Sequence, residues 1–129
     1  MLKFNLIKVL LSLSFGMDCV ENDLAGVTTH HSKRVAYISI ILGKSLGLNG
    51  SKLIDLAACA LLHDCALTEY VLYIENIEGK MKNNEPDIAK HCIFGENNIK
   101  MLKFAGDVRG AILYHHENAD GTGAFKKKY

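Results

Sequence analysis

The segment from Lys52 to Asp64 constrains the fold more than any other part of the chain. Between Asp55 and Asp64 it carries no charged side chain and consists mainly of alanine and leucine. A helix that is apolar on most sides is stable in water only when other elements surround it. Because Ser51 is a suitable N-cap, this pattern predicts a central, buried helix.

Helical patterns also cover most of the remaining chain, and no segment is convincing as a strand. They predict helices over 4–17, 28–46 and 86–104, and a last one that Asp107 caps and that runs through Glu117. The short apolar stretch 70–74 favours a helix, because nothing nearby offers a pairing strand, and 79–84 is predicted to be a polar loop. We therefore expect an all-α bundle, with 1–129 as one domain and helix 4–17 packed on its core.

Charge and hydropathy exclude several classes of protein. Fifteen basic and 14 acidic side chains leave a formal net charge of +1, so neither a dedicated nucleic-acid binder nor a protein of anionic membranes is expected. The apolar N-terminal stretch is interrupted by polar residues and is shorter than the ~20 residues of a membrane span. No two of Cys19, Cys59, Cys65 and Cys92 have the spacing of a zinc knuckle. We interpret them as apolar thiols of a cytoplasmic protein.

The histidines carry the functional signal. His31, His63, His91 and His115 each fall on the apolar face of a different predicted helix, and Asp64 directly follows His63. One such histidine is usually a hydrogen-bonded core residue. Four of them with a carboxylate would cost several kcal/mol if they were unpaired in an apolar core. Divalent metal ions would remove that cost, since neutral imidazole is the commonest protein metal ligand.

A cluster of this kind indicates phosphoester chemistry. Two metals about 3.5–4 Å apart can hold a bridging hydroxide and polarise a phosphoryl oxygen. The chain offers no glycine–lysine phosphate loop and no GxGxxG motif. His30 is one position off the face of His31, so we place it at the rim of the site.

The order of these residues resembles the HD-GYP domain of the HD phosphohydrolase superfamily. The resemblance covers 24–125 and rests on four segments of the sequence: His31 to Val35, the His63-Asp64 pair, His91, and the string from His115 to Gly123. It implies an all-helical fold and metal-dependent hydrolysis of cyclic di-GMP to pGpG or GMP, at a site with two or three iron or manganese ions.

The resemblance also implies a role for each matched residue. The expected metal ligands are His31, His63, Asp64, His91, His115 and His116. Asp64 would bridge the metals, and His63 and Asp64 would be central to catalysis. The residues expected to order the following loop are Glu117, Asp120, Gly121 and Gly123. The implied cofactors are two divalent metals, iron or manganese, with zinc, nickel or magnesium as alternatives.

This sequence departs from the family pattern at several positions. Leu67 replaces the lysine that contacts substrate phosphate, and Gly123-Ala124-Phe125 replaces the namesake GYP. Val27 stands where some members place a glutamate for a third metal, which favours two metals. HD domains take another metal-binding aspartate from a later helix. The sequence has none there, so we expect the C-terminal helices of the bundle to be missing.

Three functions are compatible with this pattern. The first is an HD-GYP-type phosphodiesterase that hydrolyses cyclic di-GMP. The second is a catalytically degenerate HD-GYP-like module for signalling or binding, and the third is an HD phosphohydrolase acting on another nucleotide. In each case the expected partner is a small-molecule phosphoester, with no nucleic acid and no membrane, and a homodimer remains open.

Overall fold

A computed structural model describes residues 5–28, 30–78 and 89–127 of the chain. Five helices lie in these ranges: α1 Leu6–Ala25, α2 His31–Ser45, α3 Gly50–Leu62, α4 Leu67–Glu78 and α5 Ala89–Ile99. No strand occurs in the same ranges. The predicted all-α fold is therefore confirmed for the described part of the chain.

Helix α3 is the centre of the bundle, as its composition predicts. Every residue of 57–62 is buried, and Leu61 is only 1% exposed. Leu10 of α1, Ala36 of α2 and Ile112 pack in the same core cluster. By length and composition the stretch Gly50–Ile74 could cross a membrane, but 56% of its most apolar window is buried inside the fold. Burial of this extent is typical of a core helix.

Helix α1 extends well beyond its predicted end near Met17. The Asn5 side chain accepts a hydrogen bond from the Lys8 backbone N–H and caps its start. The helix ends only at Gly26, which adopts a left-handed conformation with φ +65°. Asp18 lies within the helix, and its buried carboxylate accepts hydrogen bonds from the backbone N–H and the hydroxyl of Ser32. This extra length brings Glu21 of α1 against His31 at the start of α2.

Helix α5 is shorter than the predicted helix 86–104. It spans Ala89–Ile99, and the predicted loop 79–84 and the predicted start at Pro86 lie outside the described residues. After α5 the chain turns, because the buried Asp55 carboxylate accepts hydrogen bonds from the backbone N–H groups of Ala105 and Gly106. The helix favoured at 70–74 is part of the longer α4.

The predicted helix from Asp107 to Glu117 is wrong, since these residues form a series of turns. We refer to 107–117 as the turn segment. Gly110 has φ +82°, a left-handed conformation that interrupts a right-handed helix. The Glu96 side chain of α5 accepts hydrogen bonds from the N–H groups of Gly110 and Leu113, so a side chain takes the place of the carbonyl partners that a local helix would supply. His115 and His116 therefore lie on turns and not on a helix.

Candidate metal centre

All six predicted metal ligands lie close together in the structure. His31 is the first residue of α2, and His63 and Asp64 directly follow α3. His91 lies on α5, and the pair 115–116 ends the turn segment. The ring centroids of neighbouring histidines in the set are 4.1–5.3 Å apart. By contrast His30 is exposed and lies beside Phe15, outside the cluster.

Asp64 joins two groups of histidines. Its Oδ2 lies 2.9 Å from Nε2 of His63, and that nitrogen lies 3.2 Å from Nε2 of His31. Its Oδ1 lies 3.3 Å from Nε2 of His91 and 3.4 Å from Nε2 of His115. The last two nitrogens are 3.2 Å apart. One carboxylate thus faces both groups, each through a different oxygen.

Backbone carbonyls fix the orientation of two of these rings. Nδ1 of His63 lies 2.9 Å from the carbonyl of Ala60, and Nδ1 of His115 lies 2.6 Å from the carbonyl of Ile112. A ring that donates its Nδ1–H to a carbonyl keeps the Nε2 lone pair available for a metal. The fold therefore holds both rings with Nε2 directed at Asp64.

The donor set fits divalent cations. Neighbouring Nε2 atoms 3.2 Å apart would oppose their lone pairs unless a proton or a cation lay between them. Two nitrogen ligands of one cation, at bonds of about 2.1 Å, are separated by roughly 3.0–3.4 Å. The donor atoms of His31, His63 and Asp64 lie within 4.8 Å of one another, and so do those of the group around His91.

The pKa shifts of the cluster show that Asp64 and its histidines are strongly coupled. Burial raises the pKa of Asp64, but hydrogen bonds from His115, His63 and His91 outweigh it and hold the pKa well below its usual range. Burial lowers the pKa of His115, yet its hydrogen bonds to Asp64 and Cys92 raise that pKa to about 10. A metal would replace the proton on His115, so metal binding should release protons.

The comparisons with known proteins agree with this geometry. Residues 28–129 match the family model of the HD domain. The chain belongs to the HD domain family. The cyclic di-GMP phosphodiesterase PdeB of Borreliella burgdorferi is 29% identical over 94 residues, which are 72% of this chain. The 94 aligned residues are 25% of PdeB, so the chain spans about a quarter of the length of that relative. No solved structure matches the chain.

Two acidic residues of α1 lie before the matched HD region: Glu21 contacts the histidine cluster, and Asp18 contacts the start of α2. Oε1 of Glu21 lies 3.6 Å from Nε2 of His31, and Glu21 is 9% exposed. Burial, followed by the charge of Asp64, raises the pKa of Glu21. Asp18 accepts hydrogen bonds from N and Oγ of Ser32, at 2.9 and 2.7 Å, and so fixes the start of α2. Sequence reasoning missed both because it ended this helix at Met17.

Cys92 is a third residue near the site that the sequence analysis missed. Its Sγ lies 3.6 Å from Nε2 of His91, and the residue is 0% exposed. Burial raises the pKa of Cys92, but hydrogen bonds from His115 and His91 outweigh it and lower the pKa to about 7. Burial instead raises the pKa of Cys65 to about 11. The sequence signal for Cys92 is its position directly after His91, a predicted ligand.

The loop after the paired histidines is ordered by its carboxylates. Oε2 of Glu117 accepts hydrogen bonds from the N–H groups of Phe125 and Lys127, at 2.8 and 3.3 Å. Oδ1 of Asp120 accepts from N and Oγ1 of Thr122, at 3.0 and 2.7 Å. Gly121 has φ +78°, and a Cβ at Gly123 would overlap the Glu117 side chain. The four residues implied by the resemblance therefore lie in one hydrogen-bonded turn.

Replacing Glu117 by glutamine should loosen this loop. Both carboxylate oxygens accept backbone hydrogen bonds, Oε1 from Asn118 and Oε2 from Phe125 and Lys127. An amide has one acceptor oxygen, so its NH₂ would face at least one backbone N–H. We expect the free energy of unfolding, measured by urea denaturation, to fall by about 1–3 kcal/mol.

Glu69→Gln is the matched control for the loop. The Glu69 side chain is exposed and accepts one hydrogen bond, from the Asn98 side chain at 3.2 Å. Its replacement should change the free energy of unfolding by less than about 0.5 kcal/mol. Equal losses in the two variants would show that Glu117 does not order the loop.

Proposed function

We propose that this HD domain is a metal-dependent phosphodiesterase of HD-GYP type whose substrate is a cyclic dinucleotide, with cyclic di-GMP as the first candidate. The observation that carries the proposal is the position of Asp64, whose two oxygens face two separate histidine groups. The similarity to PdeB, a relative named as a cyclic di-GMP phosphodiesterase, supports the choice of substrate.

The two histidine groups, Asp64 and His116 have different roles in such a site. Cations held by the groups of His31 and His91 would act as Lewis acids and lower the pKa of water toward about 7. Asp64 supplies the negative charge that both groups share and fixes their separation. His116 is the exposed member of its group and lies at the solvent side. Partial desolvation of its ring and the charge of His115 lower the pKa of His116 to about 4, which keeps this ring neutral at physiological pH.

The substrate phosphate needs a positive partner that Leu67 does not supply. Leu67 begins α4 where the resemblance implies a lysine. Arg34 lies one turn after His31 on α2, and its guanidinium donates hydrogen bonds to the carbonyl and the hydroxyl of Thr28, at 3.3 and 2.8 Å. Burial, the charge of His63 and the charge of Arg34 all lower the pKa of His31, so the Arg34 charge acts on the site. We assign the phosphate contact to Arg34.

Metal analysis and a substrate panel test the proposal together. The purified chain should contain iron, manganese or zinc by mass spectrometry and should convert cyclic di-GMP to pGpG or GMP. The panel also includes bis-p-nitrophenyl phosphate and common nucleotides. Turnover of nucleotides alone would replace the proposal with an HD phosphohydrolase of another specificity.

A binding module without turnover is the second candidate, and Leu67 is the observation that favours it. In that case the metal-loaded chain would bind cyclic di-GMP in calorimetry but release no product. Metal-free protein that neither binds nor hydrolyses cyclic di-GMP would contradict both candidates.

A further inference from the structure

We propose that Cys92 is a metal ligand, so that the cation held by His91, His115 and His116 lies in a mixed nitrogen–sulfur site. This inference rests on the metal dependence of the proposed function but not on its substrate. The metal would be bound by the thiolate, and the thiol proton would pass to solvent.

The distances suit shared coordination. Sγ of Cys92 lies 3.6 Å from Nε2 of His91. A thiolate at about 2.3 Å and an imidazole nitrogen at about 2.1 Å from one tetrahedral cation would lie ~3.6 Å apart. Cys92, His91, His115 and His116 each offer one donor atom, and these four atoms lie within 4.8 Å of one another.

The packing of α5 holds the thiol in this position. Cys92 is 0% exposed and its helix neighbour His91 is 1% exposed, so the surrounding protein fixes the position of both side chains. Three residues later, Gly95 lets the turn segment approach closely, since a Cβ there would lie 2.9 Å from Cγ2 of Ile112. Ile112 belongs to this turn segment and lies three residues before His115. The close approach of α5 and the turn segment therefore brings sulfur and nitrogen donors together.

Position separates Cys92 from the other three cysteines. Cys19 is exposed on α1, and Cys59 lies on the buried helix α3. Cys65 directs its Sγ toward the carbonyl of Gly95, 4.0 Å away. Among the described residues, the two groups that could hold a metal include only Cys92 from this set.

A sulfur ligand would make the two metal positions chemically different. Soft thiolate favours zinc and iron, whereas carboxylate and water favour magnesium and manganese. The group of His31, His63 and Asp64 contains only nitrogen and oxygen donors. We therefore expect the Cys92 position to retain zinc or iron when the other position exchanges its metal.

Cobalt substitution tests the assignment directly. The metal-free 129-residue chain is titrated with Co²⁺, and its absorption spectrum is recorded. A thiolate ligand gives a sulfur-to-cobalt charge-transfer band in the near ultraviolet, which nitrogen and oxygen ligands do not give. The wild type and the matched control Cys59→Ser should show the band. Cys92→Ser should lose the band and bind zinc at least tenfold more weakly.

Each outcome decides a different question. A wild-type cobalt protein without the band, or a band that persists in Cys92→Ser, overturns the inference. The band without phosphodiester turnover supports the inference and refutes the proposed function, whereas turnover without the band does the reverse. If Cys92→Ser does not fold, X-ray absorption of the wild-type zinc protein decides through a sulfur shell at about 2.3 Å. A chain that binds no cobalt overturns the metal site as a whole.

Discussion

Replacing Asp64 by asparagine is expected to remove most bound metal and to lower phosphodiester hydrolysis by about 10²–10³-fold, as for other charge-stabilising groups in active sites. The substitution keeps the size of the side chain but removes the charge that faces His63, His91 and His115. It also turns one acceptor oxygen into an NH₂ group, which cannot bind a cation. Metal content by mass spectrometry and turnover of cyclic di-GMP measure the two effects.

Asp107→Asn is the matched control for this experiment. Asp107 is an exposed aspartate that forms an ion pair with Arg109 in the turn segment, and it belongs to neither histidine group. Its replacement should leave metal content and turnover unchanged. Circular dichroism checks that both variants fold. A folded Asp64→Asn variant with full metal and wild-type turnover would show that Asp64 does not join two metal positions.

Replacing Gly95 by alanine should destabilise the protein and weaken its metal site together. The new methyl group would lie 2.9 Å from Cγ2 of Ile112, a side chain with 0% exposure, and 3.7 Å from the carbonyl oxygen of His63. Overpacking of this kind typically costs about 1–3 kcal/mol. Since α5 would move away from the turn segment, His91 and His115 would separate and zinc affinity should fall. Urea denaturation and zinc titration give the two quantities.

Gly16→Ala provides a control with the opposite expected sign. Gly16 lies in α1, is exposed, and has no atom within 4 Å of the position that its Cβ would take. Alanine in an exposed helix interior should therefore raise the free energy of unfolding by about 0.5–1 kcal/mol. If Gly95→Ala were as stable as the wild type with unchanged zinc affinity, the close contact of α5 with Ile112 would not position the site.

Local patterns in the sequence were sufficient for the helical class and for the histidine set. The period of apolar residues is a property of a single helix, so the central, buried α3 could be predicted without its neighbours. The same period placed His31, His63 and His91 on inward faces, and the structure brings these rings together around Asp64. Their role as metal ligands stays a prediction until metal is measured.

Contacts between distant segments account for what the sequence did not predict. The helix expected from Asp107 to Glu117 does not form, because Glu96 on α5 accepts hydrogen bonds from backbone N–H groups of the turn segment. The local sequence of the turn segment does not predict a side-chain partner that lies 14–17 residues earlier in the chain. Helix propensity is a weak preference that a few tertiary hydrogen bonds can override.

The sequence by itself determined the helical character of this protein, its buried central helix and the set of histidine and aspartate candidates for metal binding, because each follows from side-chain chemistry and helical period. Only the tertiary structure decided that Glu21 reaches His31 from α1 and that Cys92 lies beside the histidines of the second group. Both contacts depend on how helices and turns pack against one another. Distances across a packed core are set by the shapes of many side chains at once, which no single segment contains.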